Sequence, residues 1–431
     1  MLCRLWAAQH DLVNGGYMKR VFSIAFAFVF IAATPAPIEA PTGFDNLSNG
    51  LTDEVTHAAD QAAFDEAETI PDGLGPVYNA QSCRECHQNP VSGAASQVSE
   101  LRVGHLVRGK FQNPTVVINN GKDRIEGRSL INDRAICGEA QERVPAGNHI
   151  RSFRLSLNLL GDGFIEAIAD RDLVAIARIN GGKAIDVPIL EAPGKTAIGR
   201  FGWKDQHASL LSFAADAYLN EMGVTSRLQP NEVTTVCQPP DVTNPNDKPD
   251  DEDGLEDIDR FARFMRSTKA PPRDAILAAT LPARRGSQLF DIIGCASCHV
   301  RTHITVPAGT KILGGMLVVS DAIGGKVFHP FSDFLLHDVG TGDGIAIAAK
   351  EHHGPMARFM RQSEIDVSQN RMRTPPLWGV RMRTRLMHDG ETVTFFDAIQ
   401  RHGGEAMQTR RRFNRLDEDD QNALIAFLKS L

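Results

Sequence analysis

Two short stretches, Cys83-Arg84-Glu85-Cys86-His87 and Cys295-Ala296-Ser297-Cys298-His299, decide how this chain is interpreted. Each is a C-x-x-C-H motif, which brings two thiols and one imidazole together in a few residues. Covalent haem attachment needs this set, because the thiols bond the two vinyl groups and the histidine ligates the iron. Two copies therefore predict two covalently bound haems c, with His87 and His299 as the proximal ligands.

The N-terminus has the order of a secretory signal. Lys19 and Arg20 precede the apolar run 21–33, and small residues and prolines follow it. The run is too short for a comfortable membrane span, and no longer one follows. We expect translation to start at Met18 and residues 1–40 to be a spurious extension plus a signal peptide. The mature protein is then periplasmic and has no membrane span.

The cysteine count fits an oxidising compartment. With Cys3 and the two motifs set aside, Cys137 and Cys237 remain of the seven cysteines, and we predict that they form a disulfide.

The alternative for the motifs is a four-cysteine zinc site, which two C-x-x-C pairs often build. Zinc leaves both adjacent histidines unexplained and suits an oxidising compartment less well, so we favour haem.

Composition and charge exclude several classes of protein. The chain has 431 residues, of which 42% are hydrophobic and 23% are charged, as in ordinary globular proteins with two or three domains. The formal net charge of −7 argues against a nucleic-acid partner, which requires a basic face.

Hydrophobic periodicity and the positions of turn-forming residues predict a mainly α fold with two cytochrome c-like haem domains, irregular insertions and short β segments. The domains are expected at 41–237 and 255–431, joined by an acidic linker rich in proline and aspartate at 238–254. A glycine-rich segment, 311–344, is expected to add strands and loops. Helices are predicted at 57–67, 173–179, 210–219, 255–265 and 285–290, and after the N-cap Asp417. A strand is predicted at 115–119.

The sixth position of each haem iron decides between electron transfer and chemistry at the iron. His105 is the nearest histidine downstream of the first motif and is the first choice for that position. His57 and His149 are its competitors.

Seven blocks of sequence, in order from about residue 70 to the C-terminus, resemble the bacterial di-haem oxidoreductases, a family similar to the di-haem cytochrome c peroxidases. The blocks are Gly73–Asn79, Gly199–Lys204, Asn220–Gly223, Leu335–Asp338, Arg373–Gly379, His388–Gly390 and Ala398–Glu405.

The resemblance implies roles for two residues. Trp203 matches a tryptophan between the two haems, where an aromatic ring relays electrons; a plain core tryptophan is the compatible alternative. Glu221 matches a peroxidase acid that moves a proton as the O–O bond breaks; a helix-surface carboxylate is the alternative. Phe213 stands where the peroxidases carry a glutamine, which weakens the case for peroxide chemistry.

His402 matches the sixth-ligand position of the second haem, where relatives carry methionine or tyrosine. A histidine there makes this haem bis-histidine ligated, with Met407 as the local alternative. His388 and His337 are interpreted as structural residues or haem contacts. Arg383 and Arg385 occupy the neighbourhood of an inter-haem calcium site, so no calcium is expected.

The leading hypothesis is a periplasmic di-haem oxidoreductase of peroxidase type that uses hydrogen peroxide and exchanges electrons with a small cytochrome or a cupredoxin. The alternative is a non-enzymatic electron carrier in which His87/His105 and His299/His402 close both irons. An oxidase of a partner protein or an organic substrate is a third, weaker hypothesis.

Overall fold

A computed structural model describes residues 38–238, 254–347 and 360–431 of the chain. The Met18 start, the predicted N-terminal segment 1–40 except its last three residues, and nearly all of the 238–254 linker lie outside these residues. The described residues belong to one compact unit. Because the proposed boundary falls mainly on residues that are not described, the division into two haem domains stays a prediction.

Helices are distributed over the whole described chain. They are α1 Glu54–Asp65, α2 Cys83–Cys86, α3 Asp162–Glu166, α4 Asp170–Asn180, α5 Leu210–Met222, α6 Asp257–Ser267, α7 Ala275–Ala278, α8 Leu281–Ile292, α9 Gln362–Ser368, α10 Phe395–Gln400, α11 Met407–Phe413 and α12 Glu418–Leu428. All six predicted helices are present, with ends that differ by a few residues.

Strands are numerous but short. They are β1 Ile38–Glu39, β2 Val77–Tyr78, β3 Ser99–Val107, β4 Lys110–Gln112, β5 Val116–Val117, β6 Arg124–Ile125, β7 Leu130–Ile131, β8 Arg134–Ala135, β9 Ile150–Leu155, β10 Asp186–Pro188, β11 Thr196–Ile198, β12 His303–Ile304, β13 Lys311–Ile312, β14 Leu317–Val318, β15 Lys326–Phe328, β16 Leu336–His337 and β17 Met372–Arg373.

The fold class is mixed rather than mainly α, because 32% of the structure is helical and 17% is strand. The fold-class prediction was therefore right only in part. Its short β segments are present, but it missed β3 and β9, which pair antiparallel from Ser99 opposite Leu155 to Gly104 opposite Ile150. Strands of two residues carry no periodic pattern, which explains why the remaining strands were hard to predict.

Helices α1, α5 and α6 pack together around the largest hydrophobic cluster of the described residues. The apolar face of α6, which includes Phe261 and Phe264, is buried. Helix α5 begins at the N-cap Ser209, whose hydroxyl accepts hydrogen bonds from two backbone N–H groups. It ends at Gly223, whose left-handed φ of 71° suits glycine.

The C-terminal helix α12 packs across α8, and α8 in turn contacts the turn of the second motif. Asp417 caps α12 by accepting a hydrogen bond from the Asp420 N–H at 2.8 Å. Leu424 and Phe427 lie in one buried cluster with Phe290 of α8. Gly286 makes the crossing possible, because a Cβ there would overlap the carbonyl oxygen of Ala423.

The predicted disulfide is confirmed. Cys137 and Cys237 are bonded, with their Cα atoms 6.4 Å apart and 100 residues apart in sequence. The bond ties the end of the first described segment to the residues just after β8, the strand that pairs with β2.

None of the helices in the described residues is both long and apolar enough to cross a membrane.

Candidate functional site

The first motif forms a single helical turn that orients its histidine. Ser82 caps α2 by accepting from the Glu85 N–H, and the His87 N–H donates to the Cys83 carbonyl at 3.0 Å. His87 Nδ1 lies 3.2 Å from the Ala94 carbonyl oxygen. A carbonyl only accepts, so Nδ1 carries the proton and the Nε2 lone pair is available to a metal. Burial lowers the pKa of His87 to about 4, so its ring is neutral.

The second motif has the same internal geometry on a different scaffold. It follows α8 through Gly294, at a φ of 100°, and makes one 3₁₀ turn from Cys295 to Ser297. The His299 N–H donates to the Cys295 carbonyl at 3.0 Å, and His299 Nδ1 donates to the Phe331 carbonyl at 3.0 Å. Burial lowers the pKa of His299 to about 4. Its Nε2 is therefore also available as a ligand.

His402 lies opposite His299, as the resemblance implied. The two ring centres are 6.5 Å apart, and His402 Nδ1 donates to the Ala398 carbonyl at 2.7 Å. A metal bound between two imidazoles at about 2 Å from each nitrogen would separate the ring centres by roughly 6 to 6.5 Å. The thiols, the two imidazoles and their spacing therefore fit a haem with two histidine ligands. Met407 begins α11 and does not line the cavity that is lined by both His299 and His402.

One cavity connects the second motif with the segment after the first motif. Its lining includes His299, His402, Trp203 and Ala94. The Trp203 indole N–H donates to the Leu155 carbonyl at 2.7 Å, which fixes the ring. This position agrees with both interpretations of Trp203, since the ring is 8% exposed and also lines the cavity.

A pair of carboxyl groups lies beside the first motif. Glu221, near the end of α5, accepts from Asn79 Nδ2 at 2.7 Å and shares a hydrogen bond with the Glu100 carboxyl. Arg102 holds Glu100 with two hydrogen bonds of 2.7 and 3.0 Å. Burial raises the pKa of the Cys86 thiol to about 12, and the nearby carboxyl groups of Glu221, Glu85 and Glu100 add to the rise. Both carboxyl groups of the pair therefore lie close enough to Cys86 to affect the pKa of its thiol.

The two carboxyls hold one proton between them. Burial and the neighbouring negative charge of Glu100 raise the pKa of Glu221 well above its usual range. The pKa of Glu100 falls to about 2, because the Arg102 charge outweighs the opposing effect of burial. Like charges in contact cannot both ionise easily, so the proton stays on Glu221.

His105 lies five residues beyond Glu100 on β3, which is about 16 Å along an extended strand. Its Nδ1 is 3.0 Å from Asn148 Oδ1, and no contact among the described residues joins it to His87. His57 is buried against Ser267, and His149 is exposed. The sixth ligand of the first iron thus stays a prediction.

His337 is held between two carboxylates and is unavailable to iron. Its Nδ1 lies 2.7 Å from Glu405 Oε2 and its Nε2 lies 2.8 Å from Asp333 Oδ2. Burial lowers the pKa of His337, but the hydrogen bonds and charges of Asp333 and Cys298 outweigh it and raise that pKa. Cys298, Asp333 and His337 form a group with metal-ligand spacing. The choice of haem over zinc for the two motifs stays an interpretation of the sequence.

Lys204, which follows Trp203 in the chain, belongs to a buried cluster of charges. Lys204 Nζ donates to Asp343 Oδ1 and to the Arg371 carbonyl, each at 2.8 Å, and Arg154 binds the other Asp343 oxygen at 2.9 Å. His388 stands edge-on to Trp203 with ring centres 6.1 Å apart. Arg383 lines the cavity and donates to a backbone carbonyl. The absence of calcium stays a prediction.

Sequence analysis missed Glu100 and Asp343. Glu100 is on the polar side of the alternating stretch Ser99–Val107, a strand signal that was present but not used. Asp343 comes from a glycine-rich loop, and only the fold brings it to Lys204.

With this geometry established, the class of protein is a di-haem redox protein. Residues 141–431, more than half of the chain, match the family model described as "Di-haem oxidoreductase, putative peroxidase". The chain belongs to the di-haem oxidoreductase family.

Two solved structures are similar over nearly the full length, at low identity. Hydrazine synthase from Kuenenia stuttgartiensis is 15% identical with a TM-score of 0.39, covering 96% of this chain and 100% of its own. A MauG-like protein associated with microbial copper homeostasis is 13% identical with a TM-score of 0.39, covering 94% and 95%. No curated protein sequence gives a significant match.

Proposed function

We propose that this protein is an exported c-type di-haem oxidoreductase in which the second haem transfers electrons and the first supports peroxide reduction. Cys83 and Cys86 would attach the first haem by thioether bonds, and Cys295 and Cys298 the second. The haem irons supply the redox chemistry when bound, while the protein sets ligation, access and proton supply.

The observation that carries the proposal is the difference between the two sites. At the second motif, His299 and His402 stand 6.5 Å apart with both Nδ1 atoms held by carbonyl oxygens. A site closed by two histidines favours electron transfer. Near the first motif, His87 has no second histidine in contact among the described residues, and the Glu100–Glu221 pair lies nearby.

The carboxyl pair supplies what peroxide reduction needs from the protein. Reduction of H₂O₂ to two waters consumes two electrons and two protons. Glu221 holds a proton at neutral pH because of burial and the adjacent Glu100 charge. Asn79 fixes its carboxyl at 2.7 Å, so the acid is oriented before peroxide arrives. Asn79 and Glu100 are thus polar partners of Glu221. Phe213, which stands where the peroxidases carry a glutamine, packs against Phe201 in the core instead.

Trp203 would connect the sites, because it lines the cavity that is also lined by His299 of the second motif and by Ala94, seven residues after His87. The electron donor is proposed to be a small cytochrome or a cupredoxin. The periplasm is the proposed compartment, supported by the signal-like N-terminus and by the Cys137–Cys237 disulfide, since disulfides persist in oxidising compartments.

The pH dependence of peroxide consumption tests the role of Glu221. Proton delivery is available while Glu221 is protonated and is lost as pH rises through its raised pKa, so wild-type activity should fall on the alkaline side. Glu221→Gln should slow peroxide consumption about a hundredfold or more, the usual contribution of one general acid, and should abolish that alkaline fall.

Glu100→Gln is the matched variant. It removes the neighbouring negative charge, so the pKa of Glu221 should drop and the alkaline fall should move to lower pH. Haem content, measured as the pyridine haemochrome, should be unchanged in both variants. Equal rates and equal pH profiles in all three proteins would remove the carboxyl pair from the mechanism.

A further inference from the structure

Tyr218 is a buried phenol whose oxygen contacts two carboxylates near the first motif. The ring is 2% exposed. Its hydroxyl is 2.7 Å from Glu68 Oε1 and 3.2 Å from Asp257 Oδ2. Glu68 is itself only 6% exposed, so its carboxyl is held against the phenol with little access to water.

The backbone fixes Glu68 beside the first motif. Its N–H donates to the Gln81 carbonyl at 2.7 Å, and the Gln81 side chain donates back to the Glu68 carbonyl at 3.0 Å. Gln81 is two residues from Cys83, and Cys83 packs against the hydrophobic cluster that contains Tyr218. The phenol and carboxyl are thus anchored to the segment that would hold the haem.

A continuous series of aromatic rings joins Tyr218 to the proximal histidine. Tyr218 stands edge-on to Phe261 at 5.1 Å, Phe261 stands edge-on to Phe64 at 6.2 Å, and Phe64 lies 6.4 Å from the His87 ring. All three separations fall within the roughly 4.5–7 Å of packed aromatic pairs. This series is separate from Trp203, which lines the cavity towards the second motif.

We infer that Tyr218 and Glu68 form a proton-coupled redox site that delivers an electron to the first haem. The phenolic O–H bond breaks, its proton forms an O–H bond with the Glu68 carboxylate, and one electron leaves Tyr218 for the haem site. The inference rests on the proposed function for its oxidant, because peroxide withdraws the electrons. Tyr218 supplies one of the two that peroxide needs, and the donor protein supplies the other.

The properties of Glu68 suit a proton acceptor. Burial raises its pKa to about 7, against a lowering effect of the Tyr218 hydrogen bond, and the charge of Asp257 adds to the rise. A carboxylate of this basicity takes a proton more readily than an ordinary glutamate. Without an acceptor at hydrogen-bond distance, oxidation would leave a positive charge buried in an apolar cluster, which is costly.

Low-temperature EPR on the haem-loaded protein tests the inference. One sample is oxidised with one equivalent of hydrogen peroxide and a second by light, with a ruthenium tris-bipyridine sensitiser and persulfate. A tyrosyl radical is expected in both, and ring-deuterated tyrosine should collapse its hyperfine splitting. The chain has three tyrosines, so Tyr17→Phe/Tyr78→Phe leaves Tyr218 alone and should keep the full signal.

Two variants complete the test. Tyr218→Phe should lose the signal, and Glu68→Gln, which keeps a hydrogen-bond partner but cannot accept the proton as a carboxylate, should lower it severalfold. Loss of the signal in the Tyr17→Phe/Tyr78→Phe protein, or an undiminished signal in Glu68→Gln, would overturn the inference. A Tyr218 radical under light but no peroxide consumption would instead contradict the proposed peroxide function and leave the redox site supported.

Discussion

At the residue scale, His402 is the residue that we propose to set the spin state of the second haem. Its ring faces His299 at 6.5 Å and its Nδ1 is fixed by a backbone carbonyl, so Nε2 is the atom left for iron. We expect His402→Ala to convert one of the two haems from low spin to high spin. Electronic absorption and EPR spectra of the oxidised protein measure this change.

Met407→Leu is the control for that prediction. Met407 is the other candidate ligand near His402, and it starts α11 outside the cavity lining. Its replacement should leave both spectra unchanged. A high-spin haem in Met407→Leu together with an unchanged His402→Ala spectrum would move the ligand to Met407.

Individual site residues were predictable to different degrees. The motif cysteines, His87 and His299 were accessible to sequence reasoning because each set is local in the chain. His402, Trp203 and Glu221 were found only through the family resemblance. Glu100 was not found, because its pairing with Glu221 joins a strand and a helix that are 121 positions apart in the sequence.

At the element scale, the crossing of α8 and α12 supports the second motif. A methyl group on Gly286 would overlap the Ala423 carbonyl, which is backbone and cannot move aside alone. We expect Gly286→Ala to lower the free energy of unfolding by about 1–3 kcal/mol, the usual range for overpacking. Urea denaturation followed by far-UV circular dichroism measures it.

Gly138→Ala is the matched control, since a Cβ at Gly138 meets no atom within 4 Å. Its free energy of unfolding should stay within about 0.5 kcal/mol of wild type, as for surface substitutions. Equal destabilisation by the two substitutions would show that the α8–α12 contact is not tightly packed.

Helices were predicted more successfully than strands for a physical reason. Helix α6 repeats buried residues at helical spacing, and α12 begins at a capping aspartate. Each helix can therefore be recognised from its local sequence. Most strands have two or three residues and are stabilised by distant partners, as where β1 pairs with β15. Such pairing depends on tertiary contacts that no local pattern encodes.

At the scale of the whole molecule, the Cys137–Cys237 disulfide closes a loop of 100 residues. Cross-linking so long a loop restricts the unfolded chain and is worth about 4–5 kcal/mol in the loop-entropy account. We expect Cys137→Ser/Cys237→Ser to lose roughly that much stability in urea. Dithiothreitol should destabilise wild type similarly and leave the double variant unaffected; equal sensitivity of both proteins would contradict the prediction.

The most direct test of the proposed function is low-temperature EPR of the oxidised, haem-loaded protein before and after one equivalent of hydrogen peroxide. The difference between the sites predicts one low-spin signal from the haem held by His299 and His402, and one high-spin signal from the haem at His87. Peroxide should remove the high-spin signal. Two low-spin signals and no reaction would mean that both irons are closed, and the protein would then be an electron carrier.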